Sequence, residues 1–371
     1  MLRVTELIAN TQIEPRPYQS RIVEKVWDMF LNRKMRSVLI ESPTGSGKTV
    51  MGLMSAWGLQ QELGLKVGWI AMRRNLLTQT AEEIDERGMN VKVEFISMFE
   101  KDPPKNLDLL VVDEAQHDAA NSMAHLHSVI RPKFILGLSA TPFRADKMKL
   151  CFDKVIRDAG IRQLIQEGFL SKFDHYTVPQ HSPKAVANLY LSDRAKWGKS
   201  ITYFHTLGQC EELQRLLEAA GVRSEVVTGS SDRDAQLAAF EKGDAEMLIN
   251  CMVLAEGFDC PSLKTVFCRP STKAVTVQMC GRVLRKFADL PVKQIVQCQQ
   301  SPWPFTRTAE AVSQYAWEHG SWKSLTLNPM IERVSQNVLK ALATQRVDLP
   351  EFVKKRQALA RRHRRNEPSI V

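Results

Sequence analysis

The sequence predicts an α/β protein that contains two domains, each built around a parallel sheet. Short runs rich in Val, Ile and Leu alternate with longer amphipathic stretches, which is typical of a sheet flanked by helices. The alternation occurs once before residue 140 and starts again near residue 200. A length of 371 residues also suits two domains of ordinary size.

In the first half, five apolar runs are too short to be helices and are predicted to be strands: Ser37–Glu41, Val67–Ala71, Val91–Ile96, Leu107–Val112 and Phe134–Leu138. Helical patterns separate them at Arg16–Asn32, Val50–Leu63 and Asn75–Arg87. Gly88 follows the last of these, as expected for a helix C-terminus. The order of elements therefore predicts a parallel sheet with helical crossovers.

The second half repeats this architecture without repeating the sequence. Its predicted strands are Ser200–Phe204, Arg223–Val227, Glu246–Asn250, Thr265–Arg269 and Lys293–Gln297, and its helices are Gly208–Ala220 and Asp232–Lys242. The joining segment holds a short helix, Ile161–Glu167. We therefore predict a first domain at 1–158, a second at 159–300 and, at 301–371, a mostly helical extension with a basic tail.

Composition excludes several classes of protein. With 44% hydrophobic and 25% charged residues, the chain is neither disordered nor collagen-like. No apolar run is long enough to cross a bilayer, and no secretory signal is seen at the start. Seven cysteines without a CxxC pair argue against a disulfide framework or zinc ribbon and favour a cytoplasmic protein. An excess of ten basic residues weakly indicates a polyanionic partner.

A glycine-rich loop is the strongest single motif. Ser42–Thr49 reads SPTGSGKT and lies between a predicted strand and a predicted helix, the context of a phosphate-binding loop. Its backbone amides and the helix N-terminus would hold phosphate, Lys48 would reach the β- and γ-phosphates, and the Thr49 hydroxyl would bind Mg²⁺. Ser42 stands where the simplest pattern has Gly. A plain strand-to-helix turn is the alternative.

A buried strand that ends in two acids is the second motif. Leu109–Val112 is followed by Asp113 and Glu114, which places both carboxylates at the carboxyl edge of the sheet, where ligands of such folds bind. Asp113 would hold Mg²⁺ through water, and Glu114 would orient and deprotonate the attacking water. Acidic strand ends are common, so the argument depends on the loop upstream.

Seven motifs in order make the chain resemble the superfamily 2 helicases and translocases, whose two RecA-like domains bind ATP between them. The motifs are Arg16–Gln19, Ser42–Thr49, Asp113–Gln116, Ser139–Thr141, Ile201–Thr206, Asn250–Pro261 and Gln278–Arg285. The resemblance covers about residues 10 to 300 and implies Mg²⁺ and ATP as cofactors. It stops before residues 301–371.

The resemblance also assigns roles. It implies nucleotide contacts from Arg16, Gln19, Ser42, Pro43, Thr44, Gly45, Ser46, Gly47, Lys48, Thr49, Gly257 and Asp259. Catalysis would involve Lys48, Asp113, Glu114, Gln278, Arg282 and Arg285, and metal binding Thr49 and Asp113. Coupling to strand binding would involve Gln116, Ser139, Ala140 and Thr141. Because Arg282 and Arg285 lie on the second domain, hydrolysis would require the domains to close. A solvated helix face is the alternative for these arginines.

Departures from the RNA-helicase pattern favour DNA as partner. The chain has Asp-Glu-Ala-Gln-His at 113–117 where DEAD-box proteins have Asp-Glu-Ala-Asp, and Gln278 heads the last motif. This combination is similar to RadD-like and UvsW-like repair helicases and restriction motors, which occur in bacteria and phages. It implies a role in repair, recombination or replication in a bacterial or phage-infected cytoplasm. RNA helicase, non-unwinding translocase and annealing module remain the alternatives.

Strand contacts are harder to assign. Arg73 and Arg74 in the first domain and Thr228 and Gly229 in the second are candidates for phosphate contact, with solvated strand ends and turns as the alternatives. Three tryptophans, Trp303, Trp317 and Trp322, are candidates either for base stacking or for core packing. The basic tail, 354–365, is a candidate for nonspecific nucleic-acid binding.

Overall fold

The computed structural model describes residues 3–117, 120–141, 150–229, 231–251, 260–325 and 337–338. The chain divides into two compact units, Met1–Lys323 and Ser324–Val371. Apart from Ser324, both sheets lie in the first unit. Of the second unit, only residues 324–325 and 337–338 are described. Among all described residues, no helix is both long and apolar enough to cross a membrane.

The first sheet has six parallel strands in the order β3-β2-β4-β5-β1-β6. These are β1 Ser37–Glu41, β2 Val67–Ala71, β3 Val93–Ser97, β4 Leu109–Val112, β5 Phe134–Ser139 and β6 Lys154–Ile156. Its helices are α1 Val4–Leu7, α2 Pro17–Trp27, α3 Lys48–Leu63, α4 Arg74–Glu86 and α5 Ala120–Ile130, and a π-helical turn, Asp28–Asn32, extends α2. All five predicted strands are present, with ends within two residues of the predictions.

The second sheet has eight strands in the order β14-β13-β7-β12-β11-β8-β10-β9, parallel from β13 through β9. These are β7 Lys172–Val178, β8 Ser200–Phe204, β9 Ser224–Val227, β10 Met247–Cys251, β11 Thr265–Cys268, β12 Val292–Cys298, β13 Gln314–Glu318 and β14 Ser321–Ser324. Its helices are α6 Ile161–Gln166, α7 Pro183–Ser192, α8 Arg194–Trp197, α9 Leu207–Glu218, α10 Arg233–Lys242 and α11 Lys273–Gly281.

One prediction is wrong for residues 301–325. The expected mostly helical extension contains only one short 3-10 turn there, Phe305–Arg307, and then two strands that enlarge the second sheet. The reason is aromatic packing: Tyr315 stacks on Tyr176 of β7 with ring centroids 4.9 Å apart, and Trp322 meets the same ring at 5.0 Å. Burial of these rings outweighs the weak local preference of the segment.

A continuous apolar core joins the two sheets. It extends from α2 and α3 across one face of the first sheet and continues through α6, where Ile161, Leu164 and Ile165 are buried. It then reaches Phe173, which lies on β7 of the second sheet, and Phe305. The ring centroids of these two residues lie 5.2 Å apart. The segment that connects the sheets is therefore packed and not a free linker.

Candidate nucleotide site between the two sheets

The phosphate loop and the two acids lie at one edge of the first sheet. Strands β1, β5 and β4 are neighbours, so residues that follow them meet at their carboxyl ends. The Ser42 amide donates to the Ser139 carbonyl at 3.0 Å, which ties the loop to the end of β5. The edge thus collects the loop after β1, the acids after β4 and Ser139 at the end of β5.

The loop forms a cradle that only glycine permits at two positions. Gly45 and Gly47 have φ of +81° and +76°, in the left-handed region. A Cβ on Gly47 would lie 2.5 Å from Gln19 Nε2, so a side chain there would collide. Lys48 begins α3 and is buried, and the buried hydroxyls of Ser42 and Ser46 have no hydrogen-bond partner among the described residues. These features fit a loop shaped for phosphate oxygens.

The start of α2 braces this loop. Tyr18 Oη donates to the Ser46 carbonyl at 2.7 Å, and Gln19 Nε2 donates to the same oxygen at 2.9 Å. Gln19 Oε1 in turn accepts from the Arg16 amide at 2.9 Å, and the Arg16 guanidinium reaches the Gly45 carbonyl at 3.4 Å. Arg16 and Gln19, predicted to contact the nucleotide, therefore also hold the phosphate loop in shape.

The acids that follow β4 lie in a dry environment. Burial, together with the charge of Glu114, raises the pKa of Asp113 to about 7, although Lys48 opposes the shift. Asp113 Oδ1 accepts from the Glu114 amide at 2.9 Å. Glu114 has φ of +48°, a costly conformation for a residue with a side chain. A cation close to this carboxyl would favour its ionised form.

Glu114 connects by hydrogen bonds to the end of β5. Gln116 Nε2 donates to Glu114 Oε2 at 2.6 Å, and the Ser139 hydroxyl contacts Gln116 Oε1. The Thr141 amide donates to Ser139 Oγ at 3.0 Å. Four predicted coupling or catalytic residues thus form one chain of contacts, while Ala140 lies between Ser139 and Thr141 on the backbone.

The second sheet contributes arginines to the same place. Helix α11 ends at Gly281, where an added Cβ would lie 3.6 Å from Thr44 Cβ of the phosphate loop. The Arg285 side chain passes close to Gly45, with Cγ 3.3 Å from a Cβ built there. Burial lowers the pKa of Arg285 to about 10, and the charge of Glu114 partly offsets this. Arg282 is buried beside the same loop.

These groups enclose a cavity of about 660 Å³. Eleven of the predicted site residues line it: Arg16, Gln19, Thr44, Gly45, Gly47, Lys48, Thr49, Asp113, Glu114, Arg282 and Arg285. Among the other residues predicted to bind nucleotide or metal or to act in catalysis, the structure describes four that do not line it: Ser42, Pro43, Ser46 and Gln278. Gln278 lies on α11, one turn before Arg282. The Thr49 hydroxyl and the Asp113 carboxylate are oxygen ligands of the kind that Mg²⁺ takes, so the donor set fits this ion.

Sequence reasoning missed the segment that connects the sheets. Phe169 lines the cavity, with its ring 5.2 Å from the Arg16 guanidinium and 5.5 Å from the Tyr18 ring. Ser171 binds the arginine segment, because its amide donates to the Leu284 carbonyl at 2.7 Å and its hydroxyl to the Arg285 carbonyl at 3.1 Å. No motif marks these residues, although Gly168 signals the end of α6.

The residues predicted to contact a nucleic-acid strand lie outside the cavity lining. Arg73 and Arg74 lie at the carboxyl end of β2, and Thr228 lies in the turn after β9, where its amide donates to Ser231 Oγ at 3.0 Å. Gly229, next to it, is exposed. Outside the described residues lie Gly257, Asp259 and the basic tail, 354–365.

Two of the three tryptophans pack inside the second domain. Trp317 and Trp322 meet edge to face at 5.1 Å, and Trp322 also contacts Trp197 at 5.9 Å. This pair therefore packs against other aromatic rings at the second sheet, as the packing alternative expects.

Comparison with family models finds both halves of a helicase. A model described as "Type III restriction enzyme, res subunit" matches residues 12–106, and one described as "Helicase conserved C-terminal domain" matches residues 182–287. The first match holds the phosphate loop, and the second holds Arg282 and Arg285.

Two relatives show distant similarity. A 51.5 kDa protein of Lactococcus phage (isolate 7-9) is 24% identical over 271 residues, which is 64% of this chain and 60% of that protein. A protein of Saccharomyces cerevisiae named as an ATP-dependent helicase, IRC3, is 26% identical over 231 residues, which is 51% of this chain and 34% of that protein. The chain thus spans only part of the length of either relative.

Solved structures share the fold. The Type ISP restriction-modification enzyme LlaBIII, bound to DNA, gives a TM-score of 0.57 at 16% identity over 79% of this chain and 28% of its own. Dbp5 L327V of S. cerevisiae, bound to RNA and ADP BeF3, gives a TM-score of 0.59 at 16% identity. The match covers 87% of this chain and 97% of that protein chain. With both domain models and this fold in agreement, the chain belongs to superfamily 2 of the helicases, and its first domain is similar to the res subunit of Type III restriction enzymes.

Proposed function

We propose that this protein is an ATP-hydrolysing DNA motor, a helicase or translocase that acts in repair, recombination or replication. One observation carries the proposal: a single cavity receives the phosphate loop and acids of the first sheet and the arginines of the second. Hydrolysis at such a cavity depends on both sheets being in place. That dependence is what couples ATP turnover to movement.

Each part of the cavity has a task in phosphoryl transfer. Lys48 and the loop amides hold the phosphates of ATP, and Thr49 and Asp113 hold Mg²⁺. When bound, Mg²⁺ neutralises charge on the phosphate oxygens. Glu114 accepts a proton from the attacking water. Arg282 and Arg285 offset the negative charge that grows on the departing γ-phosphate.

The connection from Glu114 to β5 supplies a route for regulation. The amide group of Gln116 donates from Nε2 to Glu114 Oε2 at 2.6 Å and accepts from the Ser139 hydroxyl at Oε1. A strand bound near Thr141 would shift Ser139 and, through Gln116, re-aim the carboxylate of Glu114. Nucleic acid would then accelerate hydrolysis without contacting ATP.

DNA is the nucleic acid along which we propose that the protein moves, and two findings support this choice. The first half matches a restriction-enzyme model, and the chain departs from the DEAD-box sequence at 113–117. RNA is the alternative outcome of the experiment below. The similarity to a phage protein supports action in a bacterial or phage-infected cytoplasm.

Steady-state ATP turnover tests the proposal. It is measured without nucleic acid and with single-stranded DNA, duplex DNA or single-stranded RNA, each at low and high salt. We expect stimulation by DNA that weakens with salt. Greater stimulation by RNA would refute DNA as the nucleic acid on which the protein acts. A lack of ATP turnover under every condition would refute the proposed ATPase activity.

A pair of lysine variants ties the turnover to the cavity. Lys48→Ala should reduce turnover at least 100-fold, because it removes the charge that meets the phosphates. Lys92→Ala is the matched control, since Lys92 is exposed in the same domain and remote from the cavity lining. Equal turnover in the two variants would refute the site. Strand displacement on forked DNA then separates an unwinding helicase from a translocase.

A further inference from the structure

Trp303, in the segment that follows β12, lies close to two cationic side chains. Its ring centroid is 5.0 Å from Lys273 Nζ and 5.5 Å from Arg307 Cζ. Both cationic side chains are exposed, and neither has an ion pair or side-chain hydrogen bond with any residue that the structure describes. The nearby acid Glu310 is engaged with Arg162 at 3.5 Å. The pair therefore presents positive charge that is not neutralised locally.

The tryptophan is held firmly in place. Phe305, two residues later, is fully buried, and its amide donates to Gln297 Oε1 at 2.7 Å. Gln297 Nε2 donates to the Trp303 carbonyl at 3.3 Å, and Trp303 Nε1 donates to Thr308 Oγ1 at 3.1 Å. Fixed groups lose little entropy when they bind a ligand. The segment therefore holds the indole at a constant position.

The positive surface continues along the carboxyl edge of the second sheet. Arg269 follows β11, and its Nη1 lies 3.1 Å from Nδ1 of exposed His205, which follows β8. The same Nη1 donates to Ser271 Oγ at 3.0 Å, and Lys273 comes two residues later. We call His205, Arg269, Lys273, Trp303 and Arg307 the basic ridge.

Helix α11 connects the ridge to the nucleotide cavity. Lys273 is its first residue, and Arg282, which lines the cavity, follows its last. Nine residues of helix span about 13 Å. A ligand at the ridge would thus act on one end of the rigid element whose other end delivers an arginine to ATP.

We propose that the basic ridge binds the backbone of a single nucleic-acid strand on the second domain, with phosphates at Lys273 and Arg307. Guanidinium and ammonium groups beside an aromatic ring are the combination that single-strand sites use. The indole is also partly exposed, and an unpaired base, which a duplex does not supply, can stack on such a ring. This inference rests on the proposed function, since it names where the nucleic-acid strand lies on the second domain.

The test is the salt dependence of strand binding by the full chain. Fluorescence anisotropy with a labelled oligothymidylate, between about 50 and 200 mM salt, compares wild type with Lys273→Gln/Arg307→Gln. Each lost phosphate contact should lower the slope of log Kd against log salt by about 0.7, so the double variant should lose about 1.4. Affinity at the lower salt should fall about tenfold.

A matched pair removes the same charge elsewhere. Arg215→Gln/Lys242→Gln changes two exposed cations on α9 and α10 of the same domain and should keep the wild-type slope. Equal slopes for the ridge and control variants would refute the ridge, as would competition by polyglutamate as strong as by oligothymidylate. Failure of the wild type to bind DNA or RNA would instead refute the proposed function. Thermal unfolding verifies that all variants are folded.

Discussion

The two sheets bring opposite chemistry to the cavity. The first contributes a phosphate cradle and two carboxylates, and the second contributes arginines on a helix end. The first half is preformed: Tyr18 and Gln19 lock the loop through the Ser46 carbonyl. The arginine segment of the second sheet is held by the connecting segment, because Ser171 donates hydrogen bonds to the carbonyls of Leu284 and Arg285. We therefore expect the residues of the first sheet to bind the nucleotide by themselves. ATP turnover should require the residues of both sheets.

The largest effect should come from the second half. Arg282→Ala should lower kcat for ATP by about 10³-fold, since it removes a guanidinium that stabilises transition-state charge. The KM for ATP should change less than fivefold, because the cradle remains. Arg223→Ala, which changes an exposed arginine on the same domain, is the control. A variant with wild-type kcat would show that the second sheet does not take part in catalysis.

Replacing Glu114, the proposed general base, should have the next largest effect. Glu114→Gln keeps the shape and the contact from Gln116 but cannot accept a proton, so kcat should fall by about 10²–10³-fold. Nucleotide affinity, measured by fluorescence titration with a labelled ATP analogue, should stay within a few-fold of wild type. A parallel loss of affinity would mean that Glu114 holds the nucleotide instead.

The preformed cradle can be tested with two glycines of like conformation. Gly47→Ala adds a Cβ 2.5 Å from Gln19 Nε2, whereas Gly64, with φ of +64°, has open space around it. Each substitution should cost about 1–2 kcal/mol for the left-handed backbone. Only Gly47→Ala should also weaken ATP binding, by about tenfold or more. Equal ATP affinities would show that the contact with Gln19 does not shape the loop.

The last expected effect is on stability, not on ATP turnover, and concerns a lysine that supports the cavity from the second sheet. Lys293 is fully buried, and its Nζ donates to the carbonyls of Pro261 at 2.6 Å and Leu263 at 2.7 Å. Pro261 lines the cavity. Burial lowers the pKa of Lys293 to about 8, with Cys260 opposing the shift. The folded lysine therefore releases its proton at a lower pH than the unfolded one.

Stability should accordingly depend on pH through this lysine. Between about pH 8 and 10.4 the unfolded chain binds the proton that the folded chain has lost, so the free energy of unfolding rises with pH, by at most about 3 kcal/mol. Denaturant titrations at both ends of this range should show the rise in wild type and a smaller one in Lys293→Met. If the free energy of unfolding rose equally with pH in wild type and in Lys293→Met, Lys293 would not be the group that causes the rise.

The comparison also shows what sequence can predict. The phosphate loop and the strand that ends at Asp113 are local patterns, and the structure places both where the patterns indicate. Phe169 and Ser171 have no such pattern, because their roles depend on contacts such as the one from Ser171 to Arg285, 114 positions away. The same holds for β13, which pairs with β7 across about 140 positions. Long-range pairing is decided by packing that local preference does not encode.

The most direct test of the account is a crystal structure with Mg²⁺ and an ATP analogue that mimics the transferred phosphate. We predict that the analogue occupies the cavity, with Lys48 and at least one of Arg282 and Arg285 within hydrogen-bonding distance of the terminal phosphate group. A nucleotide held by the first sheet alone, with both arginines directed elsewhere, would contradict the claim that the two sheets complete one site.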